Sequence, residues 1–204
     1  MNTRCTVIVM AKAPLPGFAK TRLIPALGAD GAAALAHRLL DRAVEQALAA
    51  NLGAVDLCCA PDCRHGAFAR LGGLPRVELS RQADGDLGAR MSHAFERWLA
   101  RVPQVLLIGT DAPALDAALL RRAAQALDEA DAVFVPAHDG GYALVGLRRP
   151  SPSLFENMPW STSAVMAHTR ERLAAAGLRC AELPPVADID EAADLIHLPA
   201  GWLP

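Results

Sequence analysis

A chain of 204 residues that is 52% hydrophobic can bury a sizeable core, which excludes a disordered polymer. Its 20 cationic and 22 acidic side chains leave a formal charge of −2, and no Lys/Arg run supplies a local positive field, so a nucleic-acid partner is excluded. The first apolar run, Cys5 to Met10, is too short for a signal-peptide core with its cleavage site or for a membrane span, and a cytoplasmic enzyme or binding protein is expected.

Thr6 to Met10 (TVIVM) is continuously apolar, the pattern of a strand buried on both faces. It leads into Ala11–Leu23, where Pro14, Pro16 and Gly17 forbid regular structure. Three cations, Lys12, Lys20 and Arg22, share this loop. The loop matches neither GxxxxGK[ST] nor GxGxxG. Solvation alone explains cations on a loop, but the end of a first α/β strand is a natural place for an anion. Ala32 to Ala50 follows with helical spacing of Leu35, Leu39, Ala43 and Ala47.

Val55–Ala60 reads as a second strand, His65–Leu71 as a short helix and Arg76–Leu79 as a third strand. The five cysteines are odd in number, with Cys58 and Cys59 adjacent in an apolar run, which predicts reduced, mostly buried thiols. Cys59, Cys63 and His65 lack zinc-ribbon spacing and a local fourth ligand. The next loop, Arg81–Met91, carries Gln82, Gly85, Asp86 and Gly88. Its glycines would let backbone approach a flat ligand, or serve only as turn residues. A helical stripe follows through Leu87, Met91, Ala94, Phe95 and Trp98.

Val105–Ile108 is a fourth strand and delivers Asp111 into the loop at its carboxyl end. Ligands of open α/β sheets bind there; turn capping before Pro113 would equally account for an aspartate. Asp116 is a good N-cap for the helix that follows. Ala132–Val135 and Tyr142–Leu147 are strands five and six. The interval between them is too short for a helical crossover, so they are not parallel neighbours and the sheet is mixed. After the loop-rich 148–159 comes a helix over Ser163–Ala176, ended by Gly177, then a strand over Leu178–Leu183 and a short terminal helix through Ile196. No repeat or linker divides the chain, and residues 1–204 are expected to form one domain.

Four pieces together resemble a known group of enzymes: AKAPLPGFAKTRL (11–23), GDLGARM (85–91), GTDAPAL (109–115) with DGGYALVGL (139–147), and WST (160–162) with DIDEAADL (188–195). In order and spacing they resemble the bacterial GT-A-type nucleotide-diphospho-sugar transferases or glycosyltransferases, relatives of molybdenum-cofactor nucleotidylyltransferases and phospholactate guanylyltransferase. The resemblance implies an α/β, three-layer, Rossmann-like GT-A fold with a mixed, mostly parallel central sheet. It implies that Lys12, Lys20 and Arg22 bind phosphate, with Lys20, Arg22 and Asp111 catalytic. Gln82, Gly85, Asp86 and Gly88 would contact base and ribose. Asp139, Gly140, Gly141, Tyr142 and Trp160 would shape the acceptor or sugar pocket, burial being the alternative for Trp160. Mg²⁺ or Mn²⁺ would bind Asp111 and a second acid, Asp190 in preference to Asp188. His138 is either a base or a solvated loop residue.

Two features depart from the pattern. Metal-dependent glycosyltransferases of this fold carry Asp-x-Asp, whereas Asp111-Ala-Pro holds one acid, as nucleotidylyltransferases do. The nucleotidylyltransferase opening turn, LxxGxGxR, is replaced by the proline-containing loop. The expected activity is metal-dependent transfer from a nucleotide-sugar to a small-molecule acceptor. The alternatives are nucleotidylyl transfer with release of pyrophosphate, and a nucleotide-binding module without turnover.

Overall fold

The computed structural model describes residues 4–202; the ends of the expected 1–204 domain lie outside the described residues. The strands are β1 (Cys5–Lys12), β2 (Val55–Ala60), β3 (Val77–Arg81), β4 (Gln104–Ile108), β5 (Ala132–Pro136), β6 (Tyr142–Leu147) and β7 (Cys180–Glu182). The helices are α1 (Ile24–Ala50), α2 (Gly66–Gly72), α3 (Leu87–Leu99), α4 (Ala117–Glu129) and α5 (Val165–Ala175). Short 3₁₀ turns span Thr21–Leu23, Pro152–Leu154 and Ala192–His197.

The seven strands form one sheet in the order β3-β2-β1-β4-β6-β5-β7. Strands β5 and β6 are neighbours but antiparallel, as their short connection requires. β6 is also antiparallel to β4, while the other pairings are parallel. Six strands therefore point their carboxyl ends to the same edge as the start of β6. The loops after β1, β3, β4 and β5 therefore open at that edge, because each crossover returns the chain to the opposite edge.

Alternation along β1 divides the core. Val7 and Val9 pack with Leu40, Val44, Phe68, Leu120 and Leu127 of α1, α2 and α4. Ile8 packs on the other face with Met91, Phe95 and Trp98 of α3 and Met166 and Leu173 of α5. Each large apolar side chain so buried contributes about 1.5–3 kcal/mol before entropy is counted.

A third cluster joins Leu23, Leu35 and Leu39 to Ile189, with Leu195 and Trp202 against it. It ties the last stretch of chain to α1, and it positions the site described next.

Several elements differ from the sequence expectation, three of them most. Helix α1 starts at Ile24 rather than Ala32, since Pro25 is tolerated in a first turn; the helix breaks at Gly28, whose φ is 70°. β7 contracts to three residues at a sheet edge. The terminal helix is 3₁₀, closed by a reciprocal cap between Glu191 and Asp194. Cys5, Cys58 and Cys59 are buried free thiols, whereas Cys180 is exposed.

Candidate active site

In Asp188-Ile189-Asp190 the middle residue faces inward: Ile189 is fully buried, while both acidic neighbours are half-buried. The Ile189 N–H donates to the Asp111 carbonyl at 2.9 Å, fastening this stretch to the loop after β4. Arg42 of α1 holds the same loop from the other side, its Nε donating to the Pro113 carbonyl at 2.7 Å. Asp194 Oδ2 accepts the N–H groups of Asp190 and Glu191 at 3.0 and 2.7 Å, fixing the backbone that carries Asp190.

Lys20 enters between these two segments. Its Nζ lies 2.5 Å from Asp111 Oδ1 and 2.9 Å from Asp190 Oδ1, and donates to the Ile189 carbonyl at 2.6 Å. The lysine side chain is only 8% exposed, against 48% for Asp111 and 40% for Asp190, so the acids keep a face toward solvent. Burial by itself would lower the Lys20 pKa, but the two carboxylates outweigh it and hold the ammonium above the ordinary lysine value. Lys20 has φ 52° and starts the 3₁₀ turn that carries Arg22. Arg22 is exposed, its guanidinium 3.9 Å from Glu191. Lys12 is exposed at the end of β1 and makes no ion pair among the described residues.

Asp188 is not among the carboxylates paired with the lysine. Burial and the neighbouring carboxylates of Asp139, Asp190 and Asp194 push it above the usual carboxylate range. Of the two acids named from the sequence as second partner, Asp190 reaches the Lys20–Asp111 junction, and Asp188 makes no ion pair among the described residues.

The loop after β3 sits over the ends of β1 and β2. Gln82 donates through Nε2 to the carbonyls of Ala11 (3.3 Å) and Cys58 (3.0 Å), leaving its Oε1 near Arg90. Arg90 also donates to the Gly85 carbonyl at 2.9 Å. Asp86 is the N-cap of α3, accepting the Ala89 N–H at 2.8 Å. Gly88 has a packing reason: a Cβ there would lie 2.4 Å from the Phe155 carbonyl oxygen. A groove of about 470 Å³ opens beside them, lined by Asp86, Gly88, Ser92, His93 and Phe155.

Asp139–Gly141 forms the β5–β6 turn, where the Asp139 side chain accepts the Gly141 N–H at 2.8 Å. Gly140 has φ 91°, and a Cβ on it would fall 2.2 Å from the Ser163 carbonyl oxygen; its own carbonyl accepts the Met166 N–H. This turn therefore seats the start of α5. Tyr142 packs edge-on to Phe134 and Trp160, at 5.1 and 6.4 Å between ring centroids. The Tyr142 hydroxyl and the Trp160 indole N–H are buried and have no hydrogen-bond partner among the described residues, and burial pushes the phenol pKa up. His138 is exposed in the same turn.

The fold thus joins Lys20, Asp111 and Asp190 directly, with Arg22 one residue away through Glu191. Gln82, Gly85, Asp86 and Gly88 form a second group, and Asp139–Tyr142 with Trp160 a third, all at one sheet edge. Two supporting residues escaped the sequence analysis. Asp194 had a local signal, an acid three positions after Glu191. Arg42 had none, since its partner lies 71 residues away.

Asp111 and Asp190 suit a divalent cation on their donor chemistry. Both present hard oxygens to one positive centre, the Lys20 ammonium, which stands in for a cation shared by the pair. Among the described residues, no three His, Cys, Asp or Glu side chains group as a metal site by themselves. A pair of this kind matches Mg²⁺ or Mn²⁺, which keep several waters and take further oxygens from a substrate phosphate.

Comparison with known proteins agrees with this architecture. No curated protein matches the chain. A structure from Desulfovibrio desulfuricans G20, provisionally described as a nucleotide-diphospho-sugar transferase, is 30% identical over 95% of this chain and 85% of its own, with a TM-score of 0.86. Two others share the fold alone. A Methanothermobacter nucleotidyl transferase is 16% identical, with 98% of each chain covered and a TM-score of 0.66. Rv0371c of Mycobacterium tuberculosis H37Rv, in complex with manganese, is 18% identical over 96% of this chain and 98% of that one, with a TM-score of 0.54. The fold is the mixed, mostly parallel α/β fold of nucleotide-diphospho-sugar transferases. A family model matches residues 39–162, and with it the chain belongs to DUF2064, a family described as uncharacterized and conserved in bacteria.

Proposed function

We propose that residues 1–204 form one metal-dependent transferase domain acting on a nucleotide-activated donor. The observation that carries this reading is the convergence of Asp111 and Asp190 on one positive centre beside the cationic first loop. Lys12, Lys20 and Arg22 bind the donor phosphates, and their charges stabilise the negative charge that grows on the leaving phosphate. Asp111 and Asp190 hold the divalent ion, which supplies Lewis-acid neutralisation of that same charge. The backbone around Gly85 and Gln82 receives the nucleoside, and the Tyr142–Trp160 face receives sugar or acceptor. No protein nucleophile is needed, because an acceptor oxygen attacks directly.

The donor is a nucleotide-sugar in the leading reading, supported by the description of the 30% identical relative. Attack at the anomeric carbon then releases a nucleoside diphosphate. Nucleotidylyl transfer is the second reading, favoured by the lone acid in Asp111-Ala-Pro and by the Methanothermobacter neighbour. In that reaction a substrate oxygen attacks the α-phosphorus of a nucleoside triphosphate and pyrophosphate leaves. Product identity separates the two. The protein is incubated with Mg²⁺ or Mn²⁺ and either nucleotide-sugars or nucleoside triphosphates. Nucleoside diphosphate is expected; pyrophosphate rejects the leading reading in favour of the second. Metal-dependent nucleotide binding with neither product rejects both.

A further inference from the structure

The Lys20 ammonium has three N–H donors and three acceptors around it: Asp111 Oδ1, Asp190 Oδ1 and the Ile189 carbonyl. Two of these are the oxygens assigned above to the divalent ion, and the inference rests on that assignment. An ammonium and a dication cannot share one position, and at separations of a few ångströms they repel. One of them must give way. The backbones of both acids are anchored: the Asp111 carbonyl accepts the Ile189 N–H, and the Asp190 N–H donates to Asp194. The lysine is a four-carbon stem whose backbone is fixed at the start of a 3₁₀ turn, so its head moves by side-chain rotation alone. Leaving three acceptors for water is unfavourable for a side chain this buried, unless another anion receives it. Donor phosphate is that anion, arriving at the loop Lys20 itself terminates.

We propose that Lys20 fills the cation position of the cleft until donor phosphate draws it away, so that phosphate and divalent cation bind together and the cation alone binds weakly. The coupling is reciprocal: whatever factor the phosphate adds to cation affinity, the cation adds to phosphate affinity. A cleft built this way keeps one of its two carboxylate charges neutralised when empty, and it binds free Mg²⁺ only weakly without substrate.

The chain contains only two lysines, Lys12 and Lys20, so ¹³C-lysine labelling of the whole protein gives two resolved side-chain Cε signals. Mg²⁺ alone should leave the Lys20 signal in place, whereas Mg²⁺ with inorganic pyrophosphate should move it. Movement with Mg²⁺ alone overturns the proposal, as does a Lys20 signal that never moves although pyrophosphate binds. Calorimetric titration with Mn²⁺, without phosphate, adds an independent measure. Lys20→Met should bind Mn²⁺ at least tenfold more tightly than wild type. Equal affinity in the two, lowered in both by Asp111→Asn, overturns the coupling and keeps the metal pair. Mn²⁺ affinity of Lys20→Met that ignores both Asp111→Asn and Asp190→Asn removes the metal pair and the proposal with it. Should Lys20→Met not fold, the labelled wild type decides alone.

Discussion

Two of the clusters that pair an aspartate with a cation, one around Asp56 and one around Lys20, differ in what is left over. Asp56 on β2 is 1% exposed and accepts from Ser80 Oγ at 2.7 Å, from Trp98 Nε1 at 2.7 Å and from Arg97. Every contact comes from the protein, and solvent has no access to the carboxylate. At the other end of the sheet the burial is inverted. Lys20 is enclosed, while Asp111 and Asp190 each keep nearly half their side-chain surface open. A carboxylate has about four lone-pair sites, and these two spend few of them on the protein. A saturated acid holds helix to sheet. An unsaturated pair in a cleft has capacity for a ligand, and that difference separates a structural ion pair from a binding site better than ion-pair distance does.

The contrast can be broken by exchanging what each cluster is asked to do. The largest effect is expected from Asp111→Asn, which should abolish metal-dependent nucleotide binding and lower turnover about 10²–10³-fold, by analogy with loss of one transition-state contact. Its far-UV circular dichroism and urea midpoint should stay near wild type. Unchanged nucleotide affinity would remove Asp111 from the site. Asp56→Ala should do the reverse. It strands Arg97 and the Trp98 N–H, and should cost about 3 kcal/mol of stability, at the low end for broken buried pairs because Arg97 is partly exposed. Nucleotide affinity of the folded protein should not change; a loss there would mean the two clusters are coupled.

The smallest effect sharpens the site's edge. Asp188 has a raised pKa in the folded protein, so the folded state holds its proton more tightly than the unfolded chain does. Ionisation of Asp188 therefore disfavours the fold as pH rises through its folded pKa. Asp188→Asn should raise stability at pH 7 by less than about 1 kcal/mol. That gain should vanish on acidification below the ordinary aspartate pKa of about 3.9, where both states are protonated. Melting temperatures across pH 3–8 measure it. A variant less stable than wild type at pH 7 would mean that Asp188 makes a favourable contact as an anion.

Several parts of this arrangement were legible before any coordinates. Val55–Ala60 and Tyr142–Leu147 are strands with the bounds their apolar runs predict, and Asp116 caps α4, accepting the Leu119 N–H at 2.8 Å. These features are local, set by side-chain periodicity and by caps within three residues. Asp86 and Gly88 stand out in the sequence as ligand contacts, yet one caps a helix and the other admits the Phe155 carbonyl. A residue type in a loop does not disclose whether its neighbour is a ligand or another part of the chain.

The amino-acid order by itself determined which segments become strands and helices, that β5 and β6 could not run in parallel, and that Asp111 sits in the loop after a buried strand. Those outcomes follow from short-range sterics, hydrogen-bond capping and apolar patterning, which act over a few residues. Only the tertiary structure decided that Asp190, rather than Asp188, meets Lys20 across 170 residues. That meeting depends on Ile189 seating itself among Leu23, Leu35 and Leu39, a long-range burial that brings its acidic neighbours to the loop of Lys20.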